Sequence, residues 1–194
     1  WSHDFAEMFN TWIPRWGYAC SPLVDGNSVI MDVGGMNGNA FVAFNRNNGS
    51  IVWESHSDSL GYSSPIKIRV NNEDQIVFFN KSGLYGVTTQ DGNVLWHYGW
   101  RGSVNITTPL LISPDKIFVS TSYGKGAALL EIVYSENHYE IQPVWQNNSM
   151  HNHFNSSVMV GDYIYGFDNA VLKCIVAETG EEKWSQRRLG KGSL

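Results

Sequence analysis

The side chains best equipped for chemistry lie in a few short polar stretches. Tyr123-Gly124-Lys125-Gly126 sets a phenol and a primary amine two residues apart, and His151-Asn152-His153 sets two imidazoles at the same spacing. Imidazole nitrogen is the commonest metal ligand, and near neutral pH it also donates or accepts hydrogen bonds. On a strand, residues two apart face the same side, so both rings of a His-x-His pair would point one way. A metal centre needs a third and a fourth ligand, and no carboxylate or Cys has a defined spacing to this pair, so no metal site is assigned. Lys supplies a mobile cation and Tyr a stacking face, which suits Tyr123, Lys125, His151 and His153 to contacting a ligand. Tyr62 and Arg101 stand in equivalent stretches and join them as candidate ligand-binding residues. No catalytic residue is assigned. No Ser-His-Asp order can be recognised, and no glycine-rich phosphate loop leads from a strand into a helix. Asp32, an acid within an apolar run, fits a hydrogen-bonded structural role better than that of a base.

The elements that carry these stretches follow from two repeats in step. Gly-x-x-x-Trp occurs at Gly49–Trp53, Gly92–Trp96 and Gly180–Trp184, and Trp145 stands in a fourth place without the Gly. Ser21-Pro22, Ser64-Pro65 and Thr108-Pro109 keep the same period, with Ser157-Val158 read as the fourth copy. A period of about 40–50 residues signals a stacked-unit architecture. Between the markers each unit holds four short runs rich in Val, Ile, Phe and Tyr, too short for helices. In the second unit these are 62–68, 75–79, 84–88 and 94–98, with Pro at the third or fourth position of strand A. Asn48-Gly49 and Asp91-Gly92 are tight-hairpin signals. Each unit is therefore a four-stranded antiparallel meander, A to D, and the fold expected is an all-β propeller. Trp53, Trp96, Trp145 and Trp184 are expected to fill the wedges between blades. The Gly before three of them frees the chain to turn.

The blades are expected at 17–60, 61–104, 105–152 and 153–188. Residues 1–16 would end a preceding blade and 189–194 start a further one, leaving four complete blades of a seven- or eight-bladed ring. Helix is expected only over 4–11. In such a ring the B–C and D–A loops open on one face, and Tyr123, Lys125, His151 and His153 all fall in them. Binding residues concentrate on loops over rigid scaffolds.

Charged residues make up 16% of the 194 and aromatics 13%, and the formal net charge is −5. No Lys/Arg cluster offsets that charge, which argues against a nucleic-acid partner. No apolar run approaches the length needed to span a bilayer.

The paired marks at 21–26 and 47–53 resemble the pyrroloquinoline-quinone-like repeat family. That family's blade carries a strand-A Ser/Thr-Pro and a hairpin in which Asp precedes Thr-Gly-x-x-x-Trp. Ala177–Trp184 is the best copy, with Ala177 in the Asp position. The segments 123–126, 151–154 and 161–167 resemble a bacterial subgroup labelled polyvinyl-alcohol dehydrogenase-like. These blades serve quinoprotein dehydrogenases, an outer-membrane assembly lipoprotein and other secreted proteins. The resemblance therefore implies a periplasmic or extracellular bacterial protein, and fold alone does not award an activity. Quinoprotein dehydrogenases carry adjacent cysteines, whereas Cys20 and Cys174 are far apart, on strand A of the first blade and strand C of the fourth.

The reading adopted is a non-enzymatic scaffold that binds a small polar ligand, a glycan or a protein partner through the B–C and D–A loops, with no cofactor. The alternative is a quinone-dependent alcohol or polyol dehydrogenase, with pyrroloquinoline quinone and Ca²⁺, or a degenerate relative of one.

Overall fold

The computed structural model describes residues 1–102 and 104–194; Ser103, in the stretch read as the second D–A loop, lies outside them. Among the described residues, after the short helix α1 (Phe5–Phe9), sixteen strands form four four-stranded antiparallel sheets, each in simple meander order. The first holds β1 (Leu23–Asp25), β2 (Ser28–Asp32), β3 (Phe41–Asn45) and β4 (Ile51–Ser55). The second holds β5 (Ile66–Val70), β6 (Glu73–Phe79), β7 (Gly83–Thr88) and β8 (Val94–Gly99). The third holds β9 (Leu110–Ser113), β10 (Lys116–Thr121), β11 (Gly126–Ser135) and β12 (His138–Asn147). The fourth holds β13 (Val158–Val160), β14 (Tyr163–Asp168), β15 (Val171–Val176) and β16 (Glu182–Gln186). The chain is an all-β protein built of propeller blades.

The chain divides into two compact units. Residues 1–68 and 73–101 form the first, and 69–72 and 102–194 the second. In the first unit, Phe41 stacks on Phe78 at 3.9 Å between sheets, amid Ile30, Trp53, Ile76, Tyr85 and Val87. In the second, Phe118, Leu129, Met150, Ile164 and Ile175 form the equivalent core, with Trp145 packed against it. Asp4 caps α1 by accepting from the Ala6 and Glu7 N–H groups. The helix then lays Phe5 and Phe9 on Val42 and Phe44 of the first sheet and on Val33, just after β2.

Each strand-D Trp sits beside a β-bulge. The register slips immediately after the pairs Ala43↔Trp53, Gly86↔Trp96, Leu129↔Trp145 and Cys174↔Trp184. A bulge re-aims the side chain next to it, and here it does so at the same place in every blade. Three indoles then make one contact in common, on the C–D hairpin of the following blade. The Nε1–H groups of Trp1, Trp53 and Trp145 donate to the carbonyls of Arg46 (2.9 Å), Thr89 (3.2 Å) and Ala177 (2.9 Å). Each acceptor lies three residues before a hairpin Gly, and the ring covers that Gly. A Cβ on Gly49, Gly92 or Gly180 would come within 2.6, 2.5 and 2.7 Å of Trp1, Trp53 and Trp145. Their φ values of 74°, 71° and 69° also favour Gly. The glycine thus serves the turn and receives an indole from an earlier segment of the chain.

Several expectations need correction. Trp184 is 44% exposed, whereas Trp53 and Trp96 are buried and Trp145 half-buried. Pro22, Pro65 and Pro109 immediately precede strand A and are not within it. The fourth copy of that mark is Ser156-Ser157. Ser156 Oγ accepts from Thr108 N–H as Ser64 Oγ accepts from Ser21 N–H, and Val158 opens β13 as Leu23 opens β1. Cys20 likewise precedes strand A; it and Cys174 are buried free thiols. The third blade lacks the Gly because its C–D hairpin is longer, with ten-residue strands turning through Glu136 and Asn137 at φ 50° and 64°. Asp32 is fully buried and accepts from the Gly34 and Gly61 N–H groups, tying the first B–C loop to the D–A loop.

Gly92→Ala is expected to cost about 2–4 kcal/mol, from positive-φ strain plus overpacking against Trp53. Gly26→Ala, whose Cβ meets nothing within 4 Å, should cost only about 1 kcal/mol. Trp53→Ala should lose about 3–5 kcal/mol and Trp184→Ala less than about 1 kcal/mol. Urea denaturation of the four variants checks both comparisons. A third expectation concerns Asp32, whose carboxyl burial holds well above the ordinary carboxylate range. The native state therefore keeps a proton that the unfolded chain releases, so this group's contribution falls as pH rises above about 4. Denaturation midpoints between pH 4 and 7 should fall more steeply for the parent than for Asp32→Asn.

Candidate functional site

In the second unit, three loops meet around His153. Tyr123, at the tip of the β10–β11 loop, has φ 60° and is 60% exposed. Its hydroxyl lies 2.7 Å from His153 Nε2, and the two rings meet edge-on at 5.1 Å. On the other side of the imidazole, Lys191 Nζ donates to Nδ1 at 2.6 Å. That bond fixes the neutral tautomer with the proton on Nε2, which then donates to the Tyr123 oxygen. Desolvation and the Lys191 charge both hold the His153 pKa below its ordinary value, in keeping with a neutral ring. Phe154 stacks on His153 at 3.7 Å, and Lys191 stands 5.1 Å over the Phe154 ring. Phe154 is itself 60% exposed.

His151 is engaged elsewhere. It lies in the loop after β12 and not on a strand, so the alternation that would align it with His153 does not operate. Its Nδ1 is 2.9 Å from Asp168 Oδ1, and Lys173 Nζ bonds the other oxygen at 2.7 Å. Lys173 also reaches Glu182 at 3.1 Å and donates to the Ser149 carbonyl. The Lys173 pKa is raised: burial works against its charge, and the bonds to Asp168 and Glu182 outweigh burial. Beneath both histidines the loop is pinned by buried polar groups. Ser120 Oγ donates to Met150 O and accepts from Asn152 N–H, Asn152 Nδ2 donates to Phe167 O, and Ser157 Oγ donates to Asn152 Oδ1.

The other two candidates belong to the first unit. Tyr62 meets Trp16 edge-on at 5.5 Å. Arg101 is exposed, and its charge opposes the rise in the Tyr85 pKa that burial and Asp58 produce. Lys125 is half-buried, and its N–H reaches the Ser122 carbonyl at 3.5 Å to close the loop. The structure therefore joins Tyr123 to His153 directly and gives His151 separate partners.

Sequence reasoning missed Phe154, Asp168, Lys173 and Lys191. Phe154 adjoins the His-x-His stretch and was legible as a third ring; the others depend on contacts between distant segments. It also missed an aromatic column in the first unit. His56 and His97 lie 4.3 and 4.2 Å from Tyr85, with their pKa values lowered chiefly by burial. Two surface depressions in the second unit lie away from these loops. They are lined by Arg69, Asn71, Pro114 and neighbouring residues at the tips of A–B hairpins. Among the described residues, no three His, Cys, Asp or Glu side chains are placed to hold a metal ion, and no helix is long and apolar enough to cross a membrane.

No curated protein sequence matches the chain. Among solved structures it is similar to BamB from Moraxella catarrhalis, with TM-score 0.63 and 15% identity over 85% of this chain and 47% of that one. It is also similar to the computationally designed Ika8 protein, with TM-score 0.57 and 9% identity over 89% of this chain and 50% of that one. The β-propeller domain of Myceliophteria thermophila Cps50 (Swd1) matches with TM-score 0.61 and 13% identity, over 89% of this chain and 55% of that one. The chain thus spans about half the length of the structures it matches, and identities this low speak for the fold alone. The polyvinyl-alcohol dehydrogenase-like resemblance finds no support in these matches. Residues 1–186 match the pyrroloquinoline-quinone-like repeat pattern PQQ_2, described as "Outer membrane protein assembly factor BamB", and the chain belongs to that family of β-propeller repeat proteins.

Proposed function

We propose that the chain is a non-enzymatic, extracytoplasmic scaffold that binds a protein partner and, like the factor for which its family is described, serves outer-membrane protein assembly. The partner-binding surface is the B–C and D–A loop cluster of the second unit. Tyr123, His153 and Phe154 lie at its centre, with Lys125 in the Tyr123 loop, and His151 contributes through its pair with Asp168.

The observation that carries this reading is the fixed, exposed aromatic set. Tyr123 and Phe154 are each 60% exposed, yet both are held by His153, which is itself locked by Lys191. Aromatic side chains fixed before binding lose little entropy on contact and are typical hot spots of protein interfaces. A small polar ligand or glycan calls for a concave site with polar groups free to grip it. Here the histidines already spend hydrogen bonds on Tyr123, Lys191 and Asp168. That balance favours a protein partner, and the family's description as an outer-membrane assembly factor supports a periplasmic location.

The test is genetic replacement in the source bacterium by Tyr123→Ala/Phe154→Ala, reading the heat-modifiable, folded fraction of outer-membrane β-barrel proteins. Both residues are exposed, so the variant should keep the parent's melting temperature. The folded fraction is expected to fall to the level of the gene deletion. If folded barrels persist at the parental level while the deletion lowers them, the proposed surface is wrong. If the deletion itself leaves them unchanged, the assembly role is wrong.

A further inference from the structure

We infer that the loop from Thr11 to Tyr18 is a membrane-surface anchor, which seats the first unit on a lipid bilayer containing anionic headgroups. The loop carries the two most exposed large apolar side chains of the described residues, Trp12 at 95% and Ile13 at 69%, and Trp16 three positions on is 59% exposed. Soluble surfaces carry single exposed apolar residues without consequence; two indoles and an isoleucine within five positions form a patch of the kind that marks an interaction site.

The loop is presented rigidly. At its base Phe5 stacks on Phe44 at 5.7 Å, and Tyr18 meets Phe5 edge-on at 5.4 Å. Tyr18 and Thr11 share a hydrogen bond of 2.8 Å between their hydroxyls, closing the neck. At the tip, Gly17 N–H donates to the Pro14 carbonyl in a tight turn, with Gly17 at φ 72°. Arg15 and Trp16 are the corners of that turn, and the Arg15 guanidinium lies 5.1 Å over the Trp16 ring. The apolar side chains thus project from a fixed base.

Charge and chemistry select the occupant. The whole chain has a net charge of −5, yet from residue 8 to residue 24 Arg15 is the only Asp, Glu, Lys or Arg. The patch therefore repels less and attracts more negative charge than the surface around it. Indole suits the boundary between headgroups and acyl chains, since its ring is apolar and its N–H is polar. Arg beside it reaches lipid phosphate while its stem stays with the apolar part. A protein hot spot is ordinarily a packed patch ringed by other contacts, whereas Trp12 protrudes almost bare. A protruding wedge suits a soft surface better.

Flotation of the intact chain tests this, with vesicles of phosphatidylcholine alone or with an equal part of phosphatidylglycerol. The parent should float with the mixed vesicles, less so at high salt as the Arg15 attraction is screened. Trp12→Ala/Trp16→Ala should lose about tenfold or more of the vesicle-bound fraction, and Arg15→Glu should lose the preference for phosphatidylglycerol. Tyr123→Ala/Phe154→Ala should float like the parent, which separates this loop from the protein-binding surface. Failure of the parent to float, or undiminished flotation of the double tryptophan variant, overturns the anchor. Equal flotation with both vesicle types overturns the anionic-lipid assignment.

Discussion

The structure depends on one contact made across blade boundaries, an indole lying on a hairpin glycine of the next blade. It works because two requirements coincide. The hairpin needs positive φ, which glycine accepts, and the indole needs a flat floor without a Cβ, which glycine provides. The indole N–H then takes a carbonyl that the hairpin exposes three residues earlier, so burying the ring strands no donor. Trp1 on Gly49, Trp53 on Gly92 and Trp145 on Gly180 repeat this arrangement. Trp96 shows what happens without it. Trp96 Nε1 donates to Gln75 Oε1 of its own blade at 2.7 Å. The burial of the ring survives because another acceptor is supplied.

A second layer of constraint ties the loops to one another. In the first unit Asp58 Oδ1 accepts from Ser59 N–H and Oδ2 from Ser82 N–H, and Asp32 bridges Gly34 and Gly61. In the second unit Asn152, Ser120 and Ser157 play the corresponding part with amide and hydroxyl groups. Connections running from strand D to the next strand A would otherwise be free to move. Buried, satisfied polar groups make them rigid, and a rigid loop presents side chains at low entropic cost.

Much of this was legible in the sequence, and the boundary of legibility has a physical origin. Spacing reveals what recurs within one unit, so the four-stranded meander and the strand-D Trp could be read directly. Spacing is silent on which unit a residue touches. Gly92 and Trp96 look like partners within one motif, yet Gly92 receives Trp53. The position of the prolines was misjudged by a few residues because apolar character begins before the ladder does. Tyr123 and His153 were singled out, but their contact arises from loops 30 residues apart. His151 was grouped with His153 by strand alternation, which fails in a loop. Its partner Asp168 closes β14, and nothing in the sequence near either residue announces the pair. The exposure of Trp12 was equally hidden, because composition says only that a residue is apolar.

The fourth blade ties the repeat to the loop that carries His151 and His153 through one departure from the pattern. Pro22, Pro65 and Pro109 stand immediately before strand A in the first three blades, and Ser157 stands in that place in the fourth. Proline there has no side-chain hydroxyl and can only stiffen the entry to the strand. Ser157 stiffens it differently: its hydroxyl, buried, donates to Asn152 Oδ1, while Asn152 Nδ2 donates to the Phe167 carbonyl and its N–H to Ser120. Asn152 lies between the two histidines. Exchanging a proline for a hydroxyl therefore transfers the constraint from the start of the strand to the middle of the loop that carries His151 and His153. A proline in its place would remove that bond and leave Asn152 held by Phe167 and Ser120 alone. The repeat sets where each loop begins and ends, and the departures from it determine which loop is held in one conformation.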